Sequence, residues 1–548
     1  MKSSTTVIDL EITEVEKALD VVEQELGEDV ARPLRLMFGW CLSIRALLQE
    51  KNLSLKRLRR MLFGPRTERT RDVVPEEETN ERPQGQGRED LSVKSQSSSP
   101  VTAPRRRQRR KGHGRIPAAA YTGCRRVILT HEAFSPGDAC PDCQDGTLYR
   151  LKEWAMNVRL VGRPPIGGTR YEQERLRCGT CGKVHVAELP EDVGPDKYDA
   201  SVAGTIATLR YGEGLPWKRI ERIQRAAGIP MPASVQWELC RDALARGPMA
   251  VYKQLLWESA QGDLMHDDDT RMQVLEWTTK VKKGEPLRAD APQRTGVYTT
   301  GVLSMADERP TIALFFTGVY HSGENLRRLL NQRKEELAPP VQMCDGLSHS
   351  MPKDLQTIVA NCMSHGRRKF VEVADAFPDE VRYVLQCFKE VYRTDAAAKR
   401  FKLSADQRLR LHQRRSELIL HELHGWLTER LQQRRVEPNS SLGQAIKYLL
   451  RHWEKLTLFL RKPGVPLDNN ICERALKMAI RHRRNSLFYK TQRGADVGDV
   501  YMSLIHTCYF SGADPFDYLT ELQRHEQQVK ADPVRWLPWN YREQLARE

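Results

Sequence analysis

The sequence predicts a multidomain α+β protein: an N-terminal helical or coiled-coil module, a zinc ribbon, a helix-turn-helix-like region, and an α/β core that carries a helical insertion. Three observations lead there. Two Cys-x2-Cys pairs sit in the first third of the chain, a strand-strand-strand-helix-strand pattern runs from Leu264 to Cys344, and helical periodicity dominates much of the remainder. With 548 residues the chain has room for about three to five units of roughly 100 to 200 residues each. Hydrophobic residues at 40% and charged residues at 29% supply sizeable cores and exclude a wholly disordered chain. Lysine and arginine number 87 against 72 acids, and a net charge of +15 with a pI near 9.2 favours a polyanionic partner. Apolar runs such as Ile312 to Phe316 are far shorter than the roughly 20 residues a bilayer requires. Acids from Asp9 onward, with no apolar h-region, argue against a secretory signal, so a cytoplasmic location without membrane contact is expected.

Residues 1–70 form the first module. Met37, Cys41, Ile44, Leu48, Leu55, Leu58 and Leu62 alternate four and three apart, with Lys51 at the one interrupted position. That is a heptad seam, which serves either a coiled-coil dimer or a helix packed within its own chain. A shorter run, Ile12, Val15, Leu19, Val22 and Leu26, precedes Pro33, where a continuous helix is expected to break. Residues 71–118 shift to Pro, Gly, Gln, Ser and charge, the composition of a disordered linker. Its end packs Arg105, Arg106, Arg107, Arg109, Arg110, Lys111 and Arg115 into eleven residues, a density suited to releasing counterions from phosphates.

Cys140-x2-Cys143 and Cys178-x2-Cys181 are separated by 34 residues, each with glycine nearby. Four thiolates satisfy tetrahedral zinc and leave no open position, so a structural Zn2+ in a ribbon over 119–190 is expected. Residues 191–260 are helical in pattern, and Trp217 to Ala227, Gly228, then Pro232 to Leu244 reads as helix, glycine turn, helix, with DNA the expected contact.

From residue 261 the pattern changes. Leu264 to Leu275, Val297 to Ser304 and Thr311 to Thr317 read as strands, Glu324 to Leu330 as a short helix, and Val341 to Cys344 as a strand that delivers Asp345 at its end. This order opens a ribonuclease-H-like fold, in which one carboxylate lies on the first strand, a second after the fourth, and a third on a later helix. Asp268, Asp345 and Glu473 occupy those places. Carboxylates are the ligands hard cations require, and a pair of Mg2+ ions, or Mn2+, is the expected cofactor for phosphoryl transfer on DNA. Between Asp345 and Glu473 lie 127 residues with strong helical patterning, so the core (261–370 and 463–548) is expected to carry a helical insertion over 371–462.

Several motifs together resemble a known family. Leu467 to Arg474 (LDNNICER) is followed by Arg481, Arg483, Arg484, Asn485 and Leu487-Phe488. Phe63 to Glu68 (FGPRTE), Gly112 to Arg115 (GHGR), His266 to Thr270 (HDDDT), His321 to Leu326 (HSGENL) and Cys362 to Phe370 (CMSHGRRKF) fall elsewhere in order. The set resembles the DDE transposases of bacterial insertion-sequence family 66. The resemblance implies terminal-inverted-repeat binding, metal-dependent strand cleavage and strand transfer, element ends and target DNA as partners, a homo-oligomer on DNA, a nucleoid setting and small accessory proteins of the same element. It places the first acid on Asp268 of Asp267, Asp268 and Asp269, with Asp269 standing where the family has glutamate. Arg367, Arg368 and Lys369 are expected to contact DNA phosphates or the metal-site carboxylates, and Arg474 joins Arg481, Arg483 and Arg484 as an expected DNA contact. Cys362 and His365 are half of a zinc-ligand set with no partner pair after them, and read as packing or DNA-positioning residues. The competing readings are a DNA-binding regulator with a decayed or repurposed catalytic domain, and a structure-selective nuclease, which leaves the long N-terminal half unexplained.

Overall fold

The structure is a computed structural model that describes residues 12–39, 136–138, 165–169, 175–177, 184–186, 196–289, 293–346 and 356–547. The heptad positions after Met37, the FGPRTE motif, the basic run from Arg105 to Arg115, and all of Cys140, Cys143, Cys178 and Cys181 lie outside the described residues. The chain divides into two compact units, one of Met1–Glu77 with Ile166–Glu548, the other of Glu78–Pro165.

In the first unit, helix α1 spans Ile12–Leu26 and stops at Gly27, whose φ of +86° turns the chain. Helical backbone resumes over residues 28–39 and continues through Pro33, so the break expected at the proline falls at the glycine instead. The proline forfeits one backbone bond, whereas a left-handed residue redirects the helix axis. Arg35 reaches back to Asp20 (2.6 Å) and Glu23 (2.5 Å), which makes this segment a helical hairpin. Strands β1 (Arg175–Arg177) and β2 (Val184–Val186) pair antiparallel and bracket Cys178 and Cys181 in sequence.

Helix α2 (Ala200–Ala207) precedes α3 (Trp217–Ala226) and α4 (Ala233–Ala243), the glycine-turned pair, with Gly228 at a φ of +76°. The Glu221 carboxylate of α3 accepts from the Ala233 N–H at 3.1 Å, which satisfies one of the open donors at the start of α4. Helix α5 (Pro248–Ala260) then leads into a mixed five-stranded sheet.

The strands are β3 (Leu264–Arg271), β4 (Tyr298–Ala306), β5 (Arg309–Gly318), β6 (Val341–Cys344) and β7 (Ile358–Asn361), in the spatial order β5-β4-β3-β6-β7. The first three pair antiparallel, and β6 and β7 run parallel to β3. The first strand stops four residues before the expected Leu275, where helix α6 (Leu275–Lys282) begins with the Leu275 N–H bonded to the Tyr489 carbonyl at 2.9 Å. Helix α7 (Ser322–Leu330) crosses from β5 to β6. Val302, Leu303, Ile312, Ala313, Leu314 and Phe315 are all fully buried, so neighbouring residues on both faces of β4 and β5 are covered.

The outer edge of β5 is sealed by helix α13 (Gln492–Ser511). Asp499, Ser503 and Thr507, one turn apart, accept the N–H groups of Thr317 (2.5 Å), Phe315 (2.9 Å) and Ala313 (3.1 Å). A helix face thus supplies the acceptors that another strand would.

After β7 come α8 (Met363–Val371), α9 (Pro378–Arg400), α10 (Ala405–Gln432) and α11 (Ser441–Leu456). Ser404 and Ser440 cap the last two through their hydroxyls. Val384, Phe388 and Val391 of α9 pack with Leu420, Leu423, Leu427, Leu442, Ile446 and Leu449 in a core that also holds Val341 and Met343 of β6. Within it Asp395 is well below the usual carboxylate range: burial opposes this, but His412, Lys399 and Arg408 outweigh it. A second core joins β3, β4 and β5 to α12 (Asn470–Ser486) and α13. The sheet therefore spans two cores, with the seam between β3 and β6. Among the described residues no helix is long and apolar enough to cross a membrane.

Replacing Ser503 by alanine leaves the Phe315 N–H unpaired in the core and is expected to cost about 1–3 kcal/mol, seen as a lower urea midpoint at unchanged slope. Ser511→Ala, which removes bonds only to carbonyls of its own helix, is expected to stay within about 0.5 kcal/mol of the parent.

Candidate active site

Side chains alternate along β3, and this alternation separates the three neighbouring aspartates. Asp267 and Asp269 face α7. The Asp267 carboxylate accepts from Gln342 Nε2 of β6 at 2.8 Å. Asp269 accepts from the Thr300 hydroxyl (2.6 Å) and the Ser322 N–H (2.9 Å) and lies 3.1 Å from His321 Nδ1. Asn325 donates to the same Thr300 hydroxyl at 2.8 Å, so this face is a polar network that seats α7 on β3 and β4. Burial above all raises Asp267, to about 7.

Asp268 points the other way, towards α12. Opposite it in the sheet is Gly301, where an added Cβ would stand 3.1 Å from Leu476 and 3.6 Å from Cys472, both on α12. The absent side chain lets the helix lie against the strand, with Cys472 Sγ 3.4 Å from the Gly301 carbonyl. Glu473, in the first turn of α12, is carried onto the Asp268 face by that contact. Asp345 follows directly on β6, with Tyr448 donating to its carbonyl at 3.2 Å. The Asp268 carboxyl is raised to about 8, first by burial and then by the charges of Asp345, Glu473 and Asp267, against the Asp269 N–H that donates to it at 2.8 Å. Asp345 and Glu473 thus both lie near enough for their charges to act on Asp268.

One side chain ties the elements of this site together. Asn469 is fully buried just before α12; its Nδ2 donates to the Asp267 carbonyl at 2.9 Å, and its Oδ1 lies 2.8 Å from His266 Nδ1. With the amide nitrogen committed, the oxygen accepts, and the imidazole proton belongs on Nδ1. Burial lowers His266 to about 4, against the Asn469 bond that favours its charged form, so the ring is neutral. The Asn469 N–H points at Cys362 Sγ (3.2 Å). Asn469 lies inside the LDNNICER motif, yet its role is invisible in sequence, because nothing in a local pattern marks a polar residue as buried.

Next to the acids, α8 supplies an imidazole and a run of cations. His365 Nδ1 and Arg368 Nη2 are each 3.9 Å from the Glu473 carboxylate. Arg367 lines a cleft of about 410 Å³ with Lys389, Arg393 and Asn470, and Lys369 is exposed over the Tyr448 ring. On α12, Arg474, Arg481 and Arg484 are exposed, but Arg481 meets Glu213 at 3.4 Å. Arg483 is half-buried and donates to the Thr270 hydroxyl (3.1 Å) and the Arg271 carbonyl, bracing the end of β3.

Asp268, Asp345 and Glu473 offer the oxygen ligands a hard divalent cation takes, with His365 and Arg368 beside Glu473, and burial first, then neighbouring negative charge, raises Asp268.

Residues 197–497 match the family described as "Transposase IS66 family". The chain is also similar to three uncharacterized proteins of Sinorhizobium fredii (strain NBRC 101917 / NGR234). It is 25% identical to y4hP over 512 residues, which covers 89% of this chain and 88% of that one. It is 24% identical to y4jD over 423 residues (74% and 78%), and 31% identical to y4qI over 194 residues (34% of each).

Two outcomes follow from this geometry. Asn469→Ala removes both amide bonds and strands the buried His266 Nδ1, and is expected to lower stability by about 2–4 kcal/mol in urea unfolding. Because Asp268 must lose its proton to bind a cation, Mg2+ or Mn2+ affinity is expected to rise with pH and level off above about 8. Near neutrality, binding is expected to release about one proton, read as a buffer-dependent heat in calorimetry.

Proposed function

The chain belongs to the IS66 family of transposases, and from that premise we propose that it is a DDE-type DNA transposase whose catalytic acids are Asp268, Asp345 and Glu473. What supports the reading is the placement of these acids on a central strand, directly after its parallel neighbour and in the first turn of a helix packed on that strand, with the charges of Asp345 and Glu473 both acting on Asp268. The strand order, antiparallel on one side of β3 and parallel on the other, supports a ribonuclease-H-like core.

The three carboxylates would hold the divalent cations, which would supply activation of the attacking oxygen and stabilisation of the leaving one. The chain's other residues position DNA and acids. Arg474 and Arg484 present charge to the backbone of an element end, Arg367 and Lys369 extend that surface, and Arg368 orients Glu473. Water attacks the phosphodiester at the element end and frees a 3′-hydroxyl. That hydroxyl attacks a target phosphodiester, which joins element to target and releases the target's own 3′-hydroxyl. No bond between protein and DNA forms in either step. In the same proposal the N-terminal part of the sequence contributes a zinc ribbon on Cys140, Cys143, Cys178 and Cys181, a basic arm from Arg105 to Arg115, and a seam from Met37 to Leu62 that pairs two copies on two DNA ends.

The test is strand cleavage and joining by full-length protein on labelled element-end DNA with a supercoiled target, in Mg2+ or chelator. Asp268→Asn, Asp345→Ala and Glu473→Gln are each expected to lose joining by a factor on the order of 10³ or more while end binding persists. Parental rates in Glu473→Gln would refute the assignment. Tight end binding by the parent, with no metal-dependent cleavage under any condition, would instead favour the regulator.

A further inference from the structure

Cys362, His365 and Glu473 come together in a way the strand chemistry does not require. Cys362 is the residue before α8, His365 lies in the first turn of that helix, and Glu473 reaches them from α12. One ligand atom from each lies within 4.8 Å of the other two. His365 Nδ1 and Glu473 Oε1 are both buried, 3.9 Å apart, and neither has a hydrogen-bond partner among the described residues. That separation is too long for a hydrogen bond, which needs about 2.7–3.2 Å. It is close to the roughly 3.3–3.8 Å that separates ligand atoms around a tetrahedral zinc with bonds of about 2.0–2.3 Å. On the thiol side, the Asn469 N–H points at Cys362 Sγ from 3.2 Å, the kind of donor that steadies a metal-bound thiolate.

We infer that Cys362, His365 and Glu473 form a zinc site, built on the Cys-x2-His turn that enters α8 and completed by a carboxylate from α12. Thiolate and imidazole select zinc over magnesium, so the site differs in ligand class from the three carboxylates although it shares Glu473 with them. Binding displaces the thiol proton of Cys362 to solvent and leaves the fourth position to water. Zinc here engages the Glu473 oxygen nearest His365 and so competes with the hard cations for that residue. This competition rests on Glu473 being the third catalytic acid; the zinc site itself does not.

The experiment is a Co2+ titration of metal-free full-length protein, followed by thiolate-to-cobalt charge-transfer absorption and by equivalents bound. Parent is compared with Cys362→Ser and His365→Gln. Each variant is expected to bind one equivalent fewer than the parent, whether or not the four ribbon cysteines hold an ion of their own. Equal stoichiometry in all three proteins overturns the site. His365 is partly exposed, so its variant keeps the comparison valid if Cys362→Ser fails to fold, with urea midpoints of the metal-free proteins as the control. In Mg2+-dependent cleavage, the zinc concentration for half-inhibition is expected to rise at least tenfold in His365→Gln. Cobalt bound as expected with zinc-insensitive cleavage sinks the competition alone. Absence of cleavage in Mg2+ counts against the transposase reading and leaves the cobalt result standing.

Discussion

Asn469 has no room to move, and the geometry of the acidic face follows from that. Its amide is shared between the His266 ring and the Asp267 carbonyl, and its own N–H is directed at Cys362. A buried amide with its donors and acceptors committed holds its neighbours firmly, since each bond broken in a low-dielectric interior exposes an unpaired group. The three points it ties are a strand, the entry to α8 and the entry to α12, and these are the elements that bring Asp268 and Glu473 together. Burial, and after it the charges of Asp345 and Glu473, raises Asp268. A neutral network is what can hold these acids in place without adding to that charge, and the neutral His266 belongs to it for the same reason.

The seam between the two cores explains how a long insertion is accommodated so near the acids. The Met363 N–H donates to the Leu467 carbonyl at 3.0 Å, so the chain leaves for the helical region and returns at neighbouring points. The intervening helices bury their own apolar faces, with Asp395 paired inside to Arg408 and Lys399. The insertion is therefore closed on itself, and its length adds little entropic cost to the alignment of Asp345 with Glu473.

Much of this was readable in sequence because it depends on local pattern. The strand pattern from Leu264, the helix-glycine-helix at Trp217 to Leu244 and the helices after residue 371 all have the periodicity expected of them, and the described structure places regular elements there. The choice among Asp267, Asp268 and Asp269 was not readable from composition. The pleat gives them different surroundings, turning Asp268 to α12 and its neighbours to α7. Pro33 was overweighted as a helix breaker, and Gly27 does the turning. Gly301, Asn469 and the Asp499, Ser503, Thr507 ladder were missed for one shared reason. Each matters through a contact made at long range, and a single sequence carries the residue but not its partner. Arg483 shows the converse, since a basic residue in a basic segment reads as a surface charge, while here it braces a strand carbonyl.

The sealing of β5 by α13 has an implication in time. The aspartate that accepts the Thr317 N–H comes 182 residues later in the chain. Synthesis releases the N-terminal portion first, so β5 emerges from the ribosome well before the helix that covers it. Until then the strand offers an open row of N–H groups to any neighbouring strand, including the same segment of another nascent chain on the same message. Glu473 is also late, so a truncated product carries the open edge and two of the three acids without the third. Unfinished chains are thus prone to self-association with the acidic face incomplete, and burden falls on whatever shelters them during translation.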